Sequence, residues 1–181
     1  MKIKPKLIIG LGNPGKEYEK THHNVGFLAI DFFAKATLNS KTKLFEYSKI
    51  DDLIFVKNRT FMNNVGKAVL LAMKYFKLKP EEILVAHDDS DIALGKYKLS
   101  LNQGSAGHKG IESIIKILDT KNFYRLRIGI QPQEFRIKAG KIVLKKIKLQ
   151  DLKILNKVFE EIVESGSLPD LFNLQSNVKL N

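Results

Sequence analysis

Apolar residues along this chain fall alternately into short continuous runs and into stripes with helical spacing. Lys6 to Leu11 is a brief apolar run closed by glycine, the pattern of a buried strand. Asn13-Pro14-Gly15 follows as a turn. From Asn24 to Ala36, Val25, Leu28, Ala29, Phe32 and Phe33 share one face and predict a first helix. Phe45 to Tyr47 and Leu53 to Val56 read as paired strands around Asp51-Asp52. A second helix is predicted over Asn63 to Phe76, with Val65, Val69, Met73 and Phe76 on its stripe. Ile83 to Ala86 reads as a buried strand, Tyr97 to Leu101 as another, Gly107 to Leu118 as a third helix and Leu126 to Ile130 as a central strand. Gln131 to Gly140 resembles a surface loop. Leu149 to Ser165 predicts a fourth helix ended by Gly166, and Pro169 to Leu174 a last short helical turn. Strands alternating with helices predict an α/β fold, a single-domain three-layer sandwich with a twisted, mixed, largely parallel sheet and helices on both faces. No repeat, low-complexity segment or linker interrupts the 181 residues, so residues 1–181 are expected to form one domain.

Composition narrows the chemistry. Hydrophobic residues make up 44%, enough for a core and too many for a disordered chain. Cysteine is absent, which excludes disulfides, thiolate metal sites and a cysteine nucleophile. Every apolar stretch is broken well before the ~18 residues of a membrane span. The start, Met-Lys-Ile-Lys-Pro-Lys, lacks the apolar core of a signal peptide, so a cytoplasmic location is expected. The net charge is +12, from 31 basic and 19 acidic residues. A lysine-rich composition would give the same total, but the charge is clustered. Lys121 to Lys148 holds nine Lys or Arg against Glu134 alone, a patch suited to a polyanion such as nucleic acid.

Five motifs carry candidate chemistry. Gly10-Leu11-Gly12-Asn13-Pro14-Gly15 has the letters of a dinucleotide-binding turn. However, Pro14-Gly15-Lys16 reads as extended rather than helical, and the nearby acid, Asp31, lies inside a predicted helix rather than after a second strand. A tight strand-to-loop turn fits better, with a nucleotide-dependent oxidoreductase as a rival. Thr21-His22-His23-Asn24, at the first helix start, offers a general base or a pair of exposed polar residues. In Thr60-Phe61-Met62-Asn63-Asn64, Asn63 is either a helix cap or an amide for a peptide backbone. Val85-Ala86-His87-Asp88-Asp89-Ser90-Asp91 closes a buried strand, where ligands of open α/β sheets gather. A carboxylate there orients a histidine, or three Asp share Mg²⁺, or the run is a solvated turn. Gly104-Ser105-Ala106-Gly107-His108-Lys109-Gly110 is a glycine-rich helix entry that suits an anion, or a flexible loop with a helix cap. No zincin pattern, nucleophile elbow or P-loop is present, and the four histidines are His22, His23, His87 and His108. Hydrolysis by an activated water, without metal or cofactor, fits this inventory best.

Taken in order, these blocks resemble the bacterial peptidyl-tRNA hydrolase family. The resemblance rests on Gly10 to Gly15 with Tyr18, His23-Asn24, Thr60-Phe61-Met62-Asn63 with Gly66-Lys67-Ala68, Leu84-Val85-Ala86-His87-Asp88, Gly107-His108 and Arg125-Leu126-Arg127-Ile128-Gly129. It spans about Leu7 to Ile130. It implies a monomeric, cofactor-free enzyme that cleaves the ester between a peptide and the terminal ribose of tRNA, recycling tRNA from aborted translation. By resemblance, His23 is the base that activates water and Asp88 the acid that stabilises and orients it. Asn13 helps tell a blocked amino group from a free one. Tyr18, Phe61 and Asn63 are substrate-binding positions, Met62 lines the same cleft, and His108 lies beside the acceptor-end site. Lys98 and Arg127 are basic positions that hold tRNA phosphates. The sequence departs from the family at His22, where Arg is usual, and at Lys109, where a substrate-binding Asn is usual. Ser100 replaces a lysine, the glycines before His108 are thinned to Gly104-Ser105-Ala106, and Gln131 to Lys148 is atypical. Lys109 cannot accept a hydrogen bond and is suited to a phosphate or a 3′-terminal hydroxyl instead. A non-catalytic RNA-binding relative, with Lys109 marking lost activity, is the remaining rival.

Overall fold

Side chains alternate across a strand, so one tetrapeptide can supply two cores. In the first strand, β1 (Leu7–Gly10), Leu7 and Ile9 join one apolar cluster and Ile8 the other. The computed structural model describes residues 5–35, 38–132 and 137–165. The expected helix stop at Gly166, the turn at Pro169 to Leu174 and the middle of the expected Gln131–Gly140 loop lie outside the described residues.

After β1 come α1 (Val25–Ala34), β2 (Ser40–Lys41), β3 (Phe45–Ile50), β4 (Leu53–Asn58) and α2 (Val65–Phe76). They are followed by β5 (Ile83–Ala93), β6 (Tyr97–Leu101), α3 (Lys109–Leu118), β7 (Tyr124–Gln131), α4 (Ala139–Ile142) and α5 (Leu149–Glu164). The strands form one sheet in the order β2-β3-β4-β1-β5-β7-β6. Its centre, β4-β1-β5-β7, is parallel, and β2, β3 and β6 add antiparallel edges. β3 and β4 meet at Asp51-Asp52, as expected, with Asp51 left-handed at φ 51°.

Helices cover both faces, giving the three layers. α1 and α5 pack Ala29, Ile30, Phe33, Val158, Phe159 and Ile162 against Ile8, Leu84 and Leu126. On the other face, α2 and α3 pack Val65, Val69, Ile111 and Ile114 against Leu7, Ile9 and Val85. The α1 face is seated by a pair of glycines. A Cβ on Gly10 would lie 2.2 Å from the Gly26 carbonyl oxygen, and one on Gly26 would lie 2.5 Å from Leu11 N. The first glycine of Gly10-Leu11-Gly12 therefore serves helix-on-strand contact. No helix starts inside the motif, which is followed by a single 3₁₀ turn at Lys16–Tyr18. A dinucleotide fingerprint needs its helix there.

Two expectations change. α1 and α2 each begin after a 3₁₀ turn, His22–Asn24 and Met62–Asn64. Asn64 rather than Asn63 occupies the N-cap of α2, and it makes no side-chain cap. β5 continues through the polar run His87-Asp88-Asp89 instead of ending at Ala86, because backbone pairing with β7 extends to Asp89 opposite Gly129.

Candidate active site

The site lies toward the C-terminal ends of the parallel strands, where the loops after β1, β4 and β6 meet beside Asp88 of β5. The 3₁₀ turn before α1 carries His23, and its backbone N–H donates to the Val143 carbonyl at 2.7 Å. Residues 143–147 run over this turn. The backbone of His22 donates to Lys145 O, Ile147 donates to Lys20 O, and His22 Nδ1 donates to Lys145 O at 2.9 Å. His22, the departure from the usual Arg, thus fastens this strap with its ring and its backbone together.

β5 supplies Asp88, only 2% exposed. His23 Nδ1 donates to Asp88 Oδ1 at 2.7 Å, and His108 Nε2 donates to the same oxygen at 2.9 Å. His108 is the N-cap of α3, where its Nδ1 accepts from Gly110 N–H at 3.1 Å and Ile111 N–H at 3.3 Å. An accepting Nδ1 requires the proton on Nε2. The His23 proton on Nδ1 leaves Nε2 as its available base. Burial pushes the Asp88 carboxyl up, but His108 first and His23 next outweigh it and hold it well below the usual carboxylate range. Behind them, His87 is buried edge-on against His108, ring centroids 4.7 Å apart, and donates Nδ1–H to the Asp88 carbonyl. Burial first and His108 second hold His87 well below its ordinary value, so it stays neutral.

Among the described residues, His23, Asp88 and His108 are the one cluster with metal-ligating character, their ligand atoms within 4.8 Å of one another. The donor set does not suit a cation. A metal on His108 Nε2 would move its proton to Nδ1, facing two backbone N–H donors. The acidic run is no cation site either, since its carboxylates take separate partners. Asp88 holds the two imidazoles, and Asp89 Oδ2 accepts from Arg127 Nε at 2.7 Å.

Asn13 is held from both sides. Its Oδ1 accepts the Met62 N–H at 2.7 Å, which leaves Nδ2 as its available donor. Asn24 brackets the Asn13 backbone, accepting from its N–H and donating to its carbonyl, both at 2.9 Å. Buried Asn58 does the same for Gly12, with a third bond to Thr60 O at 2.6 Å. Sequence reasoning assigned neither Asn24 nor Asn58 a role. For Asn58, an asparagine closing an apolar strand was the available signal, since its amide can satisfy a loop backbone lacking sheet partners. Asn58→Ala strands three backbone groups. We expect it to cost about 1–3 kcal/mol per stranded buried group at most, read as a lower Tm, with reduced kcat because Asn13 loses its frame. Unchanged Tm and kcat would show that the loop holds without Asn58.

Phe61 is 52% exposed beside Tyr18, edge to face with centroids 6.0 Å apart, while Met62 is buried and Asn63 exposed. A cleft of about 270 Å³ is walled by His23, Asp88, His108, Lys109 and, from the strap side, Gly140 and Val143. Lys109 pairs with Glu112 at 3.1 Å on the exposed surface, a weak tether. Lys98 and Arg127 stand opposite each other on β6 and β7, Lys98 exposed and Arg127 tied to Asp89. A larger cleft, about 570 Å³, is lined by Asn13, Phe27 and Lys57.

A family model described as peptidyl-tRNA hydrolase matches residues 7–171. A peptidyl-tRNA hydrolase of Aquifex aeolicus is 43% identical over 166 residues, covering 87% of this chain and 86% of that protein. One from Lactobacillus johnsonii is 47% identical over 136 residues, covering 71% of this chain and 74% of that protein. The crystal structure of peptidyl-tRNA hydrolase from Acinetobacter baumannii superposes with a TM-score of 0.77 at 29% identity, covering 96% of this chain and 95% of that one.

Proposed function

The chain belongs to the peptidyl-tRNA hydrolase family and hydrolyses the ester joining peptide to tRNA, and we propose that its attacking water is deprotonated at His23 Nε2, with Asp88 holding the other nitrogen, Nδ1, of that imidazole. The observation that carries this reading is the 2.7 Å bond from His23 Nδ1 to Asp88 Oδ1 on the wall of an open cleft. Water loses a proton to Nε2 as its oxygen attacks the ester carbonyl. The tetrahedral oxyanion collapses, and the ribose oxygen leaves with the proton that the imidazolium returns. The products are a peptide with a free carboxylate and a tRNA with a free ribose hydroxyl. An ester leaving group is good enough that general-base help of roughly 10²–10⁴-fold, with orientation and one or two oxyanion donors, accounts for the chemistry. No step calls for a metal, and the locked tautomer of His108 disfavours one.

Of the two candidate oxyanion donors, Asn13 and Asn63, Asn13 offers the better one in its Nδ2. Its acceptor oxygen is already occupied by Met62 N–H, so the amide presents its donor without reorganisation. The second Nδ2–H of Asn13 can then donate to the carbonyl that blocks the amino group, an acceptor that a free ammonium lacks. Tyr18 and Phe61 offer an aromatic edge for the substrate beside Met62 and Asn63. Lys109, tethered weakly to Glu112, is free to take a phosphate or hydroxyl of the acceptor end. Lys98 and Arg127 extend the footprint along β6 and β7. The protein acts as a one-domain monomer in the cytoplasm in this reading. No helix among the described residues is long and apolar enough to cross a membrane.

The direct test is hydrolysis of an N-blocked aminoacyl-tRNA beside its unblocked counterpart, with a chelator present. Release from the blocked substrate alone is expected. No release, with tRNA still bound, would move the chain to a binding-only role. Because Arg127 is already paired with Asp89, Lys98→Glu is the cleaner probe of the tRNA surface. It should weaken tRNA binding and lower the slope of log K against log salt by about one to two counterions. An unaltered slope would remove Lys98 from the footprint.

A further inference from the structure

We propose that His108 is a positioning residue, the second N–H donor that holds Asp88 Oδ1 and thereby sets how strongly Asp88 engages His23. This rests on the reading of His23 as the base. His108 is the meeting point of two structures. Its Nδ1 closes the start of α3, accepting from Gly110 and Ile111, and its Nε2 reaches Asp88 at 2.9 Å. The helix therefore selects the tautomer. Two backbone donors fix the lone pair on Nδ1, so Nε2 always presents a proton to Asp88. A ring free of the cap would choose between tautomers, and one of them would put a lone pair against the carboxylate.

The consequence reaches His23 through a shared atom. Asp88 Oδ1 accepts from His23 and His108 at once, their rings 5.0 Å apart. A carboxylate oxygen that already takes one short N–H bond is a weaker acceptor for the next. His108 thus keeps Asp88 ionised and oriented while limiting its pull on a protonated His23, so the base gives its proton back to the leaving group. The other ionisable groups around this pair are committed elsewhere. His87, edge-on to His108 from β5, gives its Nδ1–H to the Asp88 carbonyl. Asp89, next on β5, is held by Arg127, and its other oxygen accepts the Asp91 N–H. Lys109, next on α3, is paired with Glu112.

Two variants split the roles of the two ring nitrogens. His108→Asn places an acceptor near the Nδ1 position, and Asn is among the best helix N-caps; it keeps the cap and loses the donor to Asp88. His108→Gln places an amide N–H near the Nε2 position; it keeps the donor and loses the cap. With His108→Asn, Tm should stay near that of the parent, kcat should fall about tenfold, as for a lost charge-assisted hydrogen bond, and the acid limb of kcat/KM should move to higher pH with KM little changed. With His108→Gln, Tm should drop while the pH profile stays near that of the parent. A raised KM with an unmoved acid limb in His108→Asn would overturn the proposal and make His108 a substrate contact. Long-range ¹H–¹⁵N spectra of the histidine-labelled parent, without substrate, supply a reading independent of turnover. They should show His108 protonated on Nε2 and His23 on Nδ1, and a His108 proton on Nδ1 would also overturn it. An inactive parent with these tautomers intact would instead count against the hydrolase reading.

Discussion

His23→Ala is expected to lower kcat by roughly 10²–10⁴-fold, the span of general-base assistance, while tRNA binding survives. The fold should tolerate the change. Asp88 keeps the bond from His108 Nε2 at 2.9 Å, so truncating His23 leaves no buried carboxylate without a donor. The ring is small and lines an open cleft beside Asp88 and His108. Stopped-time release of labelled peptide from an N-blocked substrate measures the loss. Equilibrium binding of deacylated tRNA, followed in parallel, checks that the site is intact. Turnover near that of the parent would end the assignment of His23 as base.

Asp88→Asn should be nearly as severe, with a different signature. The amide is isosteric but neutral, so a protonated His23 loses the charge that stabilises it. If the Asn NH₂ faces His23, it also meets an N–H and drives the imidazole to its wrong tautomer. We expect kcat to fall by roughly 10²–10⁴-fold, and the acid limb of the rate profile to move to lower pH, opposite to His108→Asn. The same substitution should change acid stability. The folded Asp88 carboxyl sits below its unfolded value, because His108 and His23 outweigh the upward push of burial. Such a group adds stability that is full above the unfolded value, about 3.9, and is lost as pH falls through the folded one. The parent should therefore show a component of acid destabilisation beginning near pH 4 that Asp88→Asn lacks. Superimposable acid-unfolding curves, once offset for the stability at neutral pH, would show that the carboxylate is not held as described.

Much of the framework was legible in the residues alone. Helical spacing placed α2, α3 and α5 closely, since each buries a stripe along its own length. Apolar runs located β1 and the first half of β5, and Asp51-Asp52 marked the β3–β4 turn. Boundaries set by tertiary contacts were harder. The 3₁₀ turns ahead of α1 and α2, and the polar half of β5, carry no periodic signal. The last is a strand only because β7 lies beside it. Likewise α1 and α2 end at left-handed Lys35 and Lys77, where no glycine announces the stop.

Sequence by itself determined the α/β layering, the absence of thiol chemistry, the basic charge and the ordered motifs, whose resemblance to a family implied the His23–Asp88 pairing. Hydrophobic periodicity and motif order are local properties, readable without knowing what lies opposite. Tertiary structure alone decided which atoms meet. It placed His23 and His108, separated along the chain, on one oxygen of Asp88. It set Asn24 and Asn58 as clamps on the Gly12-Asn13 backbone and laid residues 143–147 across His22 and His23. A hydrogen-bond partner is chosen by position and direction in space, which polarity along a chain does not encode. For that reason His108 reads from the sequence as part of a glycine-rich helix entry near a ligand, and the fold makes it the second hold on Asp88.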